Sequence, residues 1–457
     1  MSLSQFCFIF FFLFLMALDV PIFSDTSDHL RTLDSISGFN GALSKNYGGN
    51  GFEQGIRIVE DDGYIFAGNT KKSFTPSTDW VVGKLNYQGE PLWALTLGGT
   101  DEDFLESMIQ TRDKGILLLG GSQSPFKRFF GFGNAGQPQR PIVMKLDPEN
   151  KLDWAIQFEK YSLSDMQENT EGNVILVGQG LDRQFLAVSL SSTANINWSK
   201  TYLPTDSQFV NATRIIGSPQ HKLRVLLQAT TDSTRRQYGF GVVELDGLGE
   251  ITSKKFFFTP RYNSVFIRHC VEMANGALVL VGDIYGKEED QDSDICVISI
   301  TRGGQLNWSK VIQGVNNDQG VDIDQIGDQL LLTSMSNSPQ LENTNAVYFL
   351  MDLQGRLTRQ LISSQSEFDC PNNAIVTSKG VVVIGSSGVN TADGYDQDIS
   401  VLRLDNWSAF KKFTGRPFLV KDLAVSKFNI NFTVESVEYP AKKIKAVKPR
   451  LLKVGKS

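Results

Sequence analysis

The chain has 457 residues, of which 41% are hydrophobic and 21% are charged, and its formal net charge is −6. This composition is ample for an apolar core, in one large domain or several ordinary ones. Residues 411–457 hold twelve Lys or Arg and three Asp or Glu, a net charge of +9, which leaves −15 on residues 1–410. The acidic body argues against a nucleic-acid partner, whereas the basic tail suits contact with anionic surfaces.

The chain begins with a short apolar run. Thirteen uncharged residues from Phe6 to Leu18 end at Asp19. That length is typical of the core of a signal peptide, because a membrane-spanning helix needs about 20 apolar residues. We predict a signal peptide over residues 1–24 and secretion of the protein; a membrane anchor formed by an uncleaved N-terminal segment is the alternative. Three cysteines follow this segment, so at most one internal disulfide is expected.

The remainder of the chain repeats itself. Short hydrophobic runs that end in Gly or a small polar residue recur seven times, and their last residues are 50 to 58 positions apart. The runs are YIFAG (64–68), ILLLG (116–120), VILVG (174–178), VLLQ (225–228), LVLVG (278–282), LLLT (330–333) and VVVIG (381–385). They define seven units of about fifty residues.

Each unit has the same internal order. A loop such as LGGTDEDF leads to a strand-like segment, a turn such as DKG or DDG, and the hydrophobic run; an alternating segment such as DWVVGKL and a last segment follow. These are four short strands, rich in β-branched and aromatic residues, between turns of Gly, Asp and Asn. Four strands per unit, seven times over, predict an all-β, seven-bladed β-propeller over residues 40–410.

Four units carry a tryptophan at one place on the fourth strand, and two of them share the tetrad NWSK. The tryptophans are Trp93, Trp154, Trp198 and Trp308. A large aromatic side chain that recurs once per unit is most simply a packing wedge between adjacent blades.

The seventh unit lacks a fourth strand of its own. Residues 40–49, NGALSKNYGG, align instead with PLWALTLGG of the first unit, so that Leu43 takes the place of Trp93. We predict that residues 40–47 supply the outer strand of the last blade and join it to the first. An eighth, degenerate blade formed by the tail is the alternative.

The pattern W-(S/A)-x-x-x-G-G, followed by a D-G-G-Y-I-x-x-G segment, resembles the repeats of secreted and cell-surface β-propeller proteins. The resemblance covers about residues 40–410 and is clearest between Tyr47 and Gly68 and between Gly98 and Gly120. It implies the propeller fold and export. It implies no catalytic residues, because most members of this family look like binding or surface proteins of unassigned role.

Motifs that carry chemistry are missing from the sequence. It contains neither HExxH nor CxxC, no G-x-S-x-G, and only three histidines, which stand in unrelated places: His29, His221 and His269. We therefore predict no catalytic residues, no enzymatic activity and no cofactor, apart from the calcium alternative that follows.

Two acidic stretches have the alternating spacing of a calcium loop. The first contains Asp290, Asp292 and Asp294, and the second contains Asp396 and Asp398. Neither has the Gly at position six or the Glu at position twelve of an EF-hand. We expect these aspartates to organise the turn before the third strand; weak Ca²⁺ binding is the alternative.

The second unit contains a long insertion, SPFKRFFGFGNAGQPQR (124–140). Aromatic and arginine side chains on a Gly- and Pro-rich loop make good interface anchors. The candidate partner-binding residues are Phe126, Arg128, Phe129, Phe130 and Phe132. The alternative is that the loop packs its own aromatic side chains onto the propeller.

Five N-x-S/T sequons are candidate glycosylation sites for a chain that enters a secretory pathway: Asn197, Asn211, Asn307, Asn406 and Asn431. The tail over residues 411–457 lies outside the repeat. Its stretch FNINFTVESVEY (428–439) alternates like a strand, and a flexible cationic end is expected from Ala441 onwards.

These observations favour a secreted or surface-exposed, non-catalytic propeller that serves as a scaffold for binding an unidentified protein or glycan. Two alternatives remain open. One is a propeller hydrolase or lyase with carboxylates at the channel mouth, such as Asp101, Asp103 or Glu106. The other is a structural component of a surface layer.

Overall fold

The computed structural model describes most of the chain between Arg31 and Leu451, with gaps. The described residues are 31–34, 43–49, 51–72, 78–98, 102–122, 140–158, 161–180, 183–206, 208–217, 223–231, 237–286, 292–337, 344–363, 368–391, 394–404, 418–436, 441–443 and 450–451. Within these residues every regular element is a strand, and there is no helix that could cross a membrane.

The strands follow one another in antiparallel groups, which we call units 1 to 7 in chain order. Two strands come first, β1 (Arg31–Asp34) and β2 (Ser44–Gly48). Unit 1 contains β3 (Gly51–Glu60), β4 (Tyr64–Lys72), β5 (Thr78–Leu85) and β6 (Pro91–Leu97), and unit 2 contains β7 (Asp103–Gln110), β8 (Ile116–Ser122), β9 (Arg140–Leu146) and β10 (Leu152–Phe158). Unit 3 contains β11 (Ser162–Glu168), β12 (Val174–Gln179), β13 (Phe185–Leu190) and β14 (Ile196–Pro204), and unit 4 contains β15 (Val210–Ile216), β16 (Leu223–Thr230), β17 (Tyr238–Leu245) and β18 (Ile251–Phe258).

The remaining units have the same order. Unit 5 contains β19 (Ser264–Glu272), β20 (Leu278–Tyr285), β21 (Asp294–Ile300) and β22 (Leu306–Gln313), and unit 6 contains β23 (Asp318–Ile326), β24 (Gln329–Ser336), β25 (Asn345–Asp352) and β26 (Leu357–Ser363). Unit 7 contains β27 (Phe368–Thr377), β28 (Gly380–Thr391) and β29 (Gly394–Leu404). Single-residue parallel bridges join β17 to β19 and β29 to β3.

The hydrophobic runs of the repeat form the second strand of each unit and are buried on both faces. In β8, Leu117 faces unit 3 and Leu118 faces unit 1, and neither is exposed to solvent. This explains why the runs are continuously apolar instead of alternating. Each pair of neighbouring units shares one apolar cluster, and one such cluster lies between unit 7 and unit 1.

The first strands of successive units lie side by side, and β27 of unit 7 also lies against β3 of unit 1. At the N-terminal side, β2 pairs antiparallel with β29, with Ser44 opposite Leu402 and Tyr47 opposite Ile399. β1 in turn pairs with β2. The four-stranded antiparallel units, stacked face to face, are those of a β-propeller-type fold.

The recurring tryptophans lie between neighbouring units, as predicted. The indole N–H of Trp154 donates a hydrogen bond to the Ser192 carbonyl of unit 3 at 2.9 Å. Trp308 donates in the same way to the Leu353 carbonyl of unit 6 at 3.0 Å. The indole ring therefore fills the space between two units, and its N–H group forms a hydrogen bond with a turn of the next unit.

The tail runs along the outer edge of the molecule in the direction opposite to the repeat. Its strands are β30 (Leu419–Asp422), β31 (Ser426–Phe428), β32 (Phe432–Ser436), β33 (Ala441–Lys443) and β34 (Arg450–Leu451). They pair in turn with β22, β18, β14, β10 and β6, which are the outer strands of units 5, 4, 3, 2 and 1. The tail thus adds a fifth strand to five successive units and forms no blade of its own. The expectation of a flexible end after Ala441 is wrong for the segments that pair.

Apolar side chains of the tail explain why it stays on this edge. Ile430 is fully buried in the cluster between units 3 and 4. The ring of Phe432 lies edge-on to Phe185 with centroids 5.5 Å apart, and the ring of Phe428 is 5.4 Å from that of Phe256. The tail therefore gains stability from burial of aromatic surface as well as from strand pairing.

We predict that Phe432→Ala lowers the free energy of unfolding by about 1–3 kcal/mol, because it removes an aromatic ring that is partly buried against Phe185. Glu435→Ala, at an exposed position of the same strand, should change it by less than about 0.5 kcal/mol. Chemical denaturation of both variants measures the difference. Equal stability of the two variants would mean that the tail does not pack on unit 3.

Candidate functional site

A β-bulge occurs at the same place in the first strand of every unit. It lies between Gly55 and Arg57 in β3 and between Gly320 and Asp322 in β23, for example. The residues that directly follow the bulges, which we call the axial residues, are Arg57, Ser107, Asp165, Arg214, His269, Asp322 and Asn373. An extra residue in a strand re-aims the side chains around it. The bulges thereby bring polar groups together where the first strands meet.

Asp165 links units 2, 3 and 4. The Ser107 hydroxyl donates a hydrogen bond to Asp165 Oδ1, and the Ile215 amide donates one to Oδ2, each at 2.9 Å. Burial raises the pKa of Asp165, and the charge of Arg57 opposes this rise. Both oxygens of this buried carboxylate therefore accept hydrogen bonds from neighbouring units.

Asp322 does the same for units 5, 6 and 7. His269 Nδ1 forms an ion pair with Asp322 Oδ1. The Asn373 side-chain amide and the Ala374 backbone amide both donate to Oδ2 at 2.8 Å. Although burial opposes ionisation, His269 and the Ala374 amide hold the pKa of Asp322 below its usual value. The amide of Ile58 donates to Asn373 Oδ1 at 3.2 Å, which carries the network on to unit 1.

A second carboxyl group stands beside this network. Burial and the charge of Asp322 raise the pKa of Asp324 to about 8. The two axial carboxylates, Asp165 and Asp322, were not among the candidates identified in the sequence. Of those candidates, Asp103 is buried at the first position of β7, Glu106 is half-buried in the same strand, and Asp101 lies outside the described residues.

The first acidic stretch is divided between the described and undescribed parts of the chain. Asp290 lies outside the described residues, whereas Asp292 and Asp294 lie near Asp318 of unit 6. Burial, together with the charges of Asp294 and Asp292, raises the pKa of Asp318 to about 7. Asp318 could not be identified from this stretch of the sequence, because it belongs to the next unit.

The second acidic stretch also meets a carboxylate from another unit. Asp396 and Asp398 of β29 and Glu53 of β3 each place one oxygen within 4.8 Å of the others. Burial, with the charges of Asp398 and Asp396, raises the pKa of Glu53 to about 8. Burial and the charge of Asp396 raise the pKa of Asp398 to about 6. Carboxylate oxygens in such a group are the ligands that Ca²⁺ prefers.

Three cysteines are described and all are free thiols: Cys270, Cys296 and Cys370. Burial raises the pKa of each of them, to about 11 for Cys370 with a further contribution from Asp369. A thiol with a raised pKa forms little thiolate and exchanges slowly. The single disulfide that the sequence allowed is therefore not formed.

The sequons differ in exposure. Asn197, Asn307 and Asn431 are exposed, as attachment of a glycan requires. Asn211 is half-buried, and its amide oxygen is shielded from solvent. Asn406 lies outside the described residues, as do the signal segment and the loop residues Phe126, Arg128, Phe129, Phe130 and Phe132.

No family model matches the sequence, and no curated protein sequence matches it either. Among solved structures, the extracellular domains 1–2 of Drosophila Semaphorin 1b are similar with 9% identity and a TM-score of 0.46, over 81% of this chain and 88% of that one. The WD40 domain of SCAP from fission yeast has 11% identity and a TM-score of 0.41, over 78% and 96%. A puromycin hydrolase has 10% identity and a TM-score of 0.41, over 74% of this chain and 50% of that one. Because these scores are low, the assignment to the β-propeller-type folds depends on the strand pairing.

We predict that Asp322→Ala destabilises the protein by about 3–5 kcal/mol, because it leaves the Asn373 side-chain amide and the Ala374 backbone amide buried without this acceptor and removes the partner of His269. Asp328→Ala, in an exposed turn of the same unit, should change the free energy of unfolding by less than about 0.5 kcal/mol. Urea denaturation followed by tryptophan fluorescence compares the two. A mild effect of Asp322→Ala would show that the axial network contributes little to the fold.

Proposed function

We propose that the protein is a secreted, seven-bladed β-propeller that acts as a non-catalytic binding scaffold, with β2 as the outer strand of its last blade. The blade count is supported by the units between Gly51 and Leu404 and by the contacts of unit 7 with unit 1. Secretion is supported by the apolar N-terminal run in the sequence, with membrane anchoring by an uncleaved N-terminal segment as its alternative.

Closure by β2 is supported by a comparison with β14, the outer strand of unit 3. Tyr202 of β14 donates a hydrogen bond to the Gly249 carbonyl in the next unit at 2.6 Å. Tyr47 of β2 donates to the Gly89 carbonyl of unit 1 at 2.7 Å. β2 therefore makes the same contact with unit 1 that β14 makes with unit 4.

Two further contacts follow the same rule. Lys200 pairs with Glu250 in the next unit, and Lys45 pairs with Glu90 in unit 1. The ring of Trp198 covers Gly249, and the side chain of Leu43 covers Gly89. These contacts support the proposal that Leu43 takes the place of the recurring tryptophan.

A disulfide tests this closure. Asn46 and Ser400 face each other across β2 and β29, and paired Cα atoms in antiparallel strands are about 4.5–5.5 Å apart, within the reach of a disulfide. We predict that Asn46→Cys with Ser400→Cys cross-links on mild oxidation and raises the melting temperature. Asn46→Cys with Arg403→Cys is the control, because Arg403 is three residues along the strand, on its other face. Absence of the cross-link in the first pair would contradict closure by β2.

The observation that favours a scaffold over an enzyme is the use made of the axial carboxylates. Asp165 accepts hydrogen bonds at both oxygens from neighbouring units. Asp322 accepts two from unit 7 at Oδ2 and one from the Ile323 amide at Oδ1, which also lies against His269 of unit 5. A carboxylate whose two oxygens both accept hydrogen bonds holds strands in place, and it has little freedom to exchange protons with a substrate. The rigid unit core then carries variable loops, which is the usual arrangement in a binding protein.

The partner surface that we propose is the loop over residues 124–140. Phe129 and Phe130, beside Arg128, have the aromatic and cationic character of interface hot spots. Their partner would be a protein or a glycan. The basic tail supplies a further contact with anionic surfaces, through its twelve Lys and Arg over residues 411–457.

We predict that the full-length secreted protein captures its partner from matched extracellular extracts and that deletion of residues 124–140 reduces capture at least tenfold. Replacement of residues 338–343, the loop between the second and third strands of unit 6, by a Gly/Ser linker of equal length is the matched control. Quantitative mass spectrometry of bound proteins and a glycan array read out the two classes of partner. Unchanged binding after the deletion would eliminate this loop as the partner surface.

A propeller hydrolase or lyase remains the second candidate, on the basis of one observation. The pKa of Asp324 is raised to about 8 while that of Asp322 is lowered, and such divergence is typical of acid–base pairs. Activity on polysaccharide or ester substrates that is lost in Asp324→Asn, with stability retained, would favour the enzyme over the scaffold.

A further inference from the structure

We propose that Glu53, Asp396 and Asp398 bind a calcium ion at the junction between unit 7 and unit 1. This site is separate from the partner-binding loop and from the axial residues. The ion would hold β3 and β29 together, two segments that are more than 340 residues apart in the sequence.

The three carboxylates come from two strands that lie side by side. β29 and β3 form a parallel bridge at Gln397 and Phe52, directly beside Asp396, Asp398 and Glu53. The Gln397 side chain also donates to the Glu53 backbone carbonyl at 3.3 Å. One oxygen of each carboxylate lies within 4.8 Å of the other two. Ligand oxygens on opposite sides of one calcium ion are about 4.6–5.2 Å apart, so a single ion can contact all three.

The oxygens that point into this group lack hydrogen-bond donors. Glu53 Oε1 accepts a bond from the Thr70 hydroxyl at 3.1 Å, and Asp396 Oδ1 accepts one from the Gly51 amide at 3.1 Å. The Gly49 backbone amide also approaches the Glu53 carboxylate. Glu53 Oε2 and Asp398 Oδ1 are nevertheless shielded from solvent and accept no hydrogen bond from the described residues. Both residues are only 7% exposed. Buried carboxylate oxygens of this kind need either a proton or a cation between them, and a cation can serve all three carboxylates at once.

Gly48 allows the two carboxylates to approach the backbone at one place. A Cβ atom at this position would lie 1.8 Å from Asp398 Oδ1 and 3.0 Å from Glu53 Oε2. The two oxygens without donors therefore flank the same point. A side chain on residue 48 would displace both oxygens, so glycine is required for the two carboxylates to converge here.

The junction between units 6 and 7 provides an internal comparison. Asp369 stands two residues before the bulge of β27, as Glu53 does in β3. The residue that faces it in the repeat is Asn345, in the place of Asp398. Asp369 Oδ1 accepts a bond from the Ser387 hydroxyl at 3.2 Å, and neither Asp369 nor Asn345 has a buried side-chain oxygen or nitrogen without a partner. An amide in place of the second carboxylate thus removes the need for a cation.

Calcium is the ion that suits this site best. It accepts six to eight oxygen ligands in flexible geometry, so three carboxylates can be supplemented by water and backbone carbonyls. Magnesium requires near-ideal octahedral geometry and exchanges its bound water for protein ligands only reluctantly. Extracellular calcium modules bind with dissociation constants of about 0.1–1 mM, which matches a site with so few protein ligands.

The test uses the full-length secreted protein, treated with EGTA and then titrated with CaCl₂ to about ten times the expected dissociation constant at pH 7.5. We expect the melting temperature to rise by about 1–3 °C, and calorimetry to register bound calcium. Asp398→Asn should lose one equivalent of bound calcium and most of the shift, because it reproduces the Asn345 arrangement. Glu53→Gln is a second isosteric variant with the same expected result. Asp369→Asn is the matched control and should retain both.

Three results would overturn the proposal. The first is a wild-type melting temperature that is the same in EGTA and in CaCl₂, with no heat of binding. The second is an unchanged calcium stoichiometry in both Asp398→Asn and Glu53→Gln. The third is an equal shift with MgCl₂, which would indicate general screening of the acidic body. The wild-type titration alone decides the first and third, so the test does not depend on the folding of a variant.

Discussion

The structure depends on sheets that are apolar on both faces. A four-stranded unit of this kind cannot remain next to water on either face, so each unit needs a neighbour on both sides. A linear stack would leave two exposed apolar faces at its ends. The apolar cluster shared by units 7 and 1 covers those two faces with each other, through Ile384 and Val382 on one side and Phe66 and Ile58 on the other.

Buried charge is used in two different ways in the molecule. Around the axial residues, carboxylates such as Asp165 receive donors from the next unit and so hold neighbouring first strands at a fixed distance. At the junction formed by Glu53 and Asp398, the facing groups are both acceptors. The first arrangement is complete as it stands and favours a structural role. The second lacks a positive partner and therefore points to a ligand.

Much of the strand order could be predicted because one constraint acts on every unit. The buried second strand must be continuously apolar, and in five of the seven units its hydrophobic run ends at a Gly. The first strand passes close to this Gly; a Cβ at Gly68 would lie 2.1 Å from the Gln54 carbonyl. The tryptophan position and its substitute Leu43 follow from the same repetition. Residues 40–47 were predicted as a strand, and Ser44–Gly48 is the segment that pairs.

Other features left no local signal. The bulge shifts the alternation of the first strand by one residue, so the inward position of Asp165 is not evident from periodicity. Glu53 joins Asp396 only in three dimensions, since the two are distant in the chain. The end of the tail from Ala441 was expected to be flexible because it is rich in lysine, and its paired strands are only two and three residues long. Such short segments pair only because a ready-made outer edge is present to receive them.

The path of the tail has a consequence for how the molecule comes apart. The chain forms the units in order and then returns in the opposite sense along their outer edges, from unit 5 back to unit 1. A pulling force applied beyond β34 therefore breaks the pairing of β34 first and that of β30 last, and it releases the tail from one unit at a time. The tail is synthesised after the units that it pairs with, so it can bind only when their outer strands are already in place.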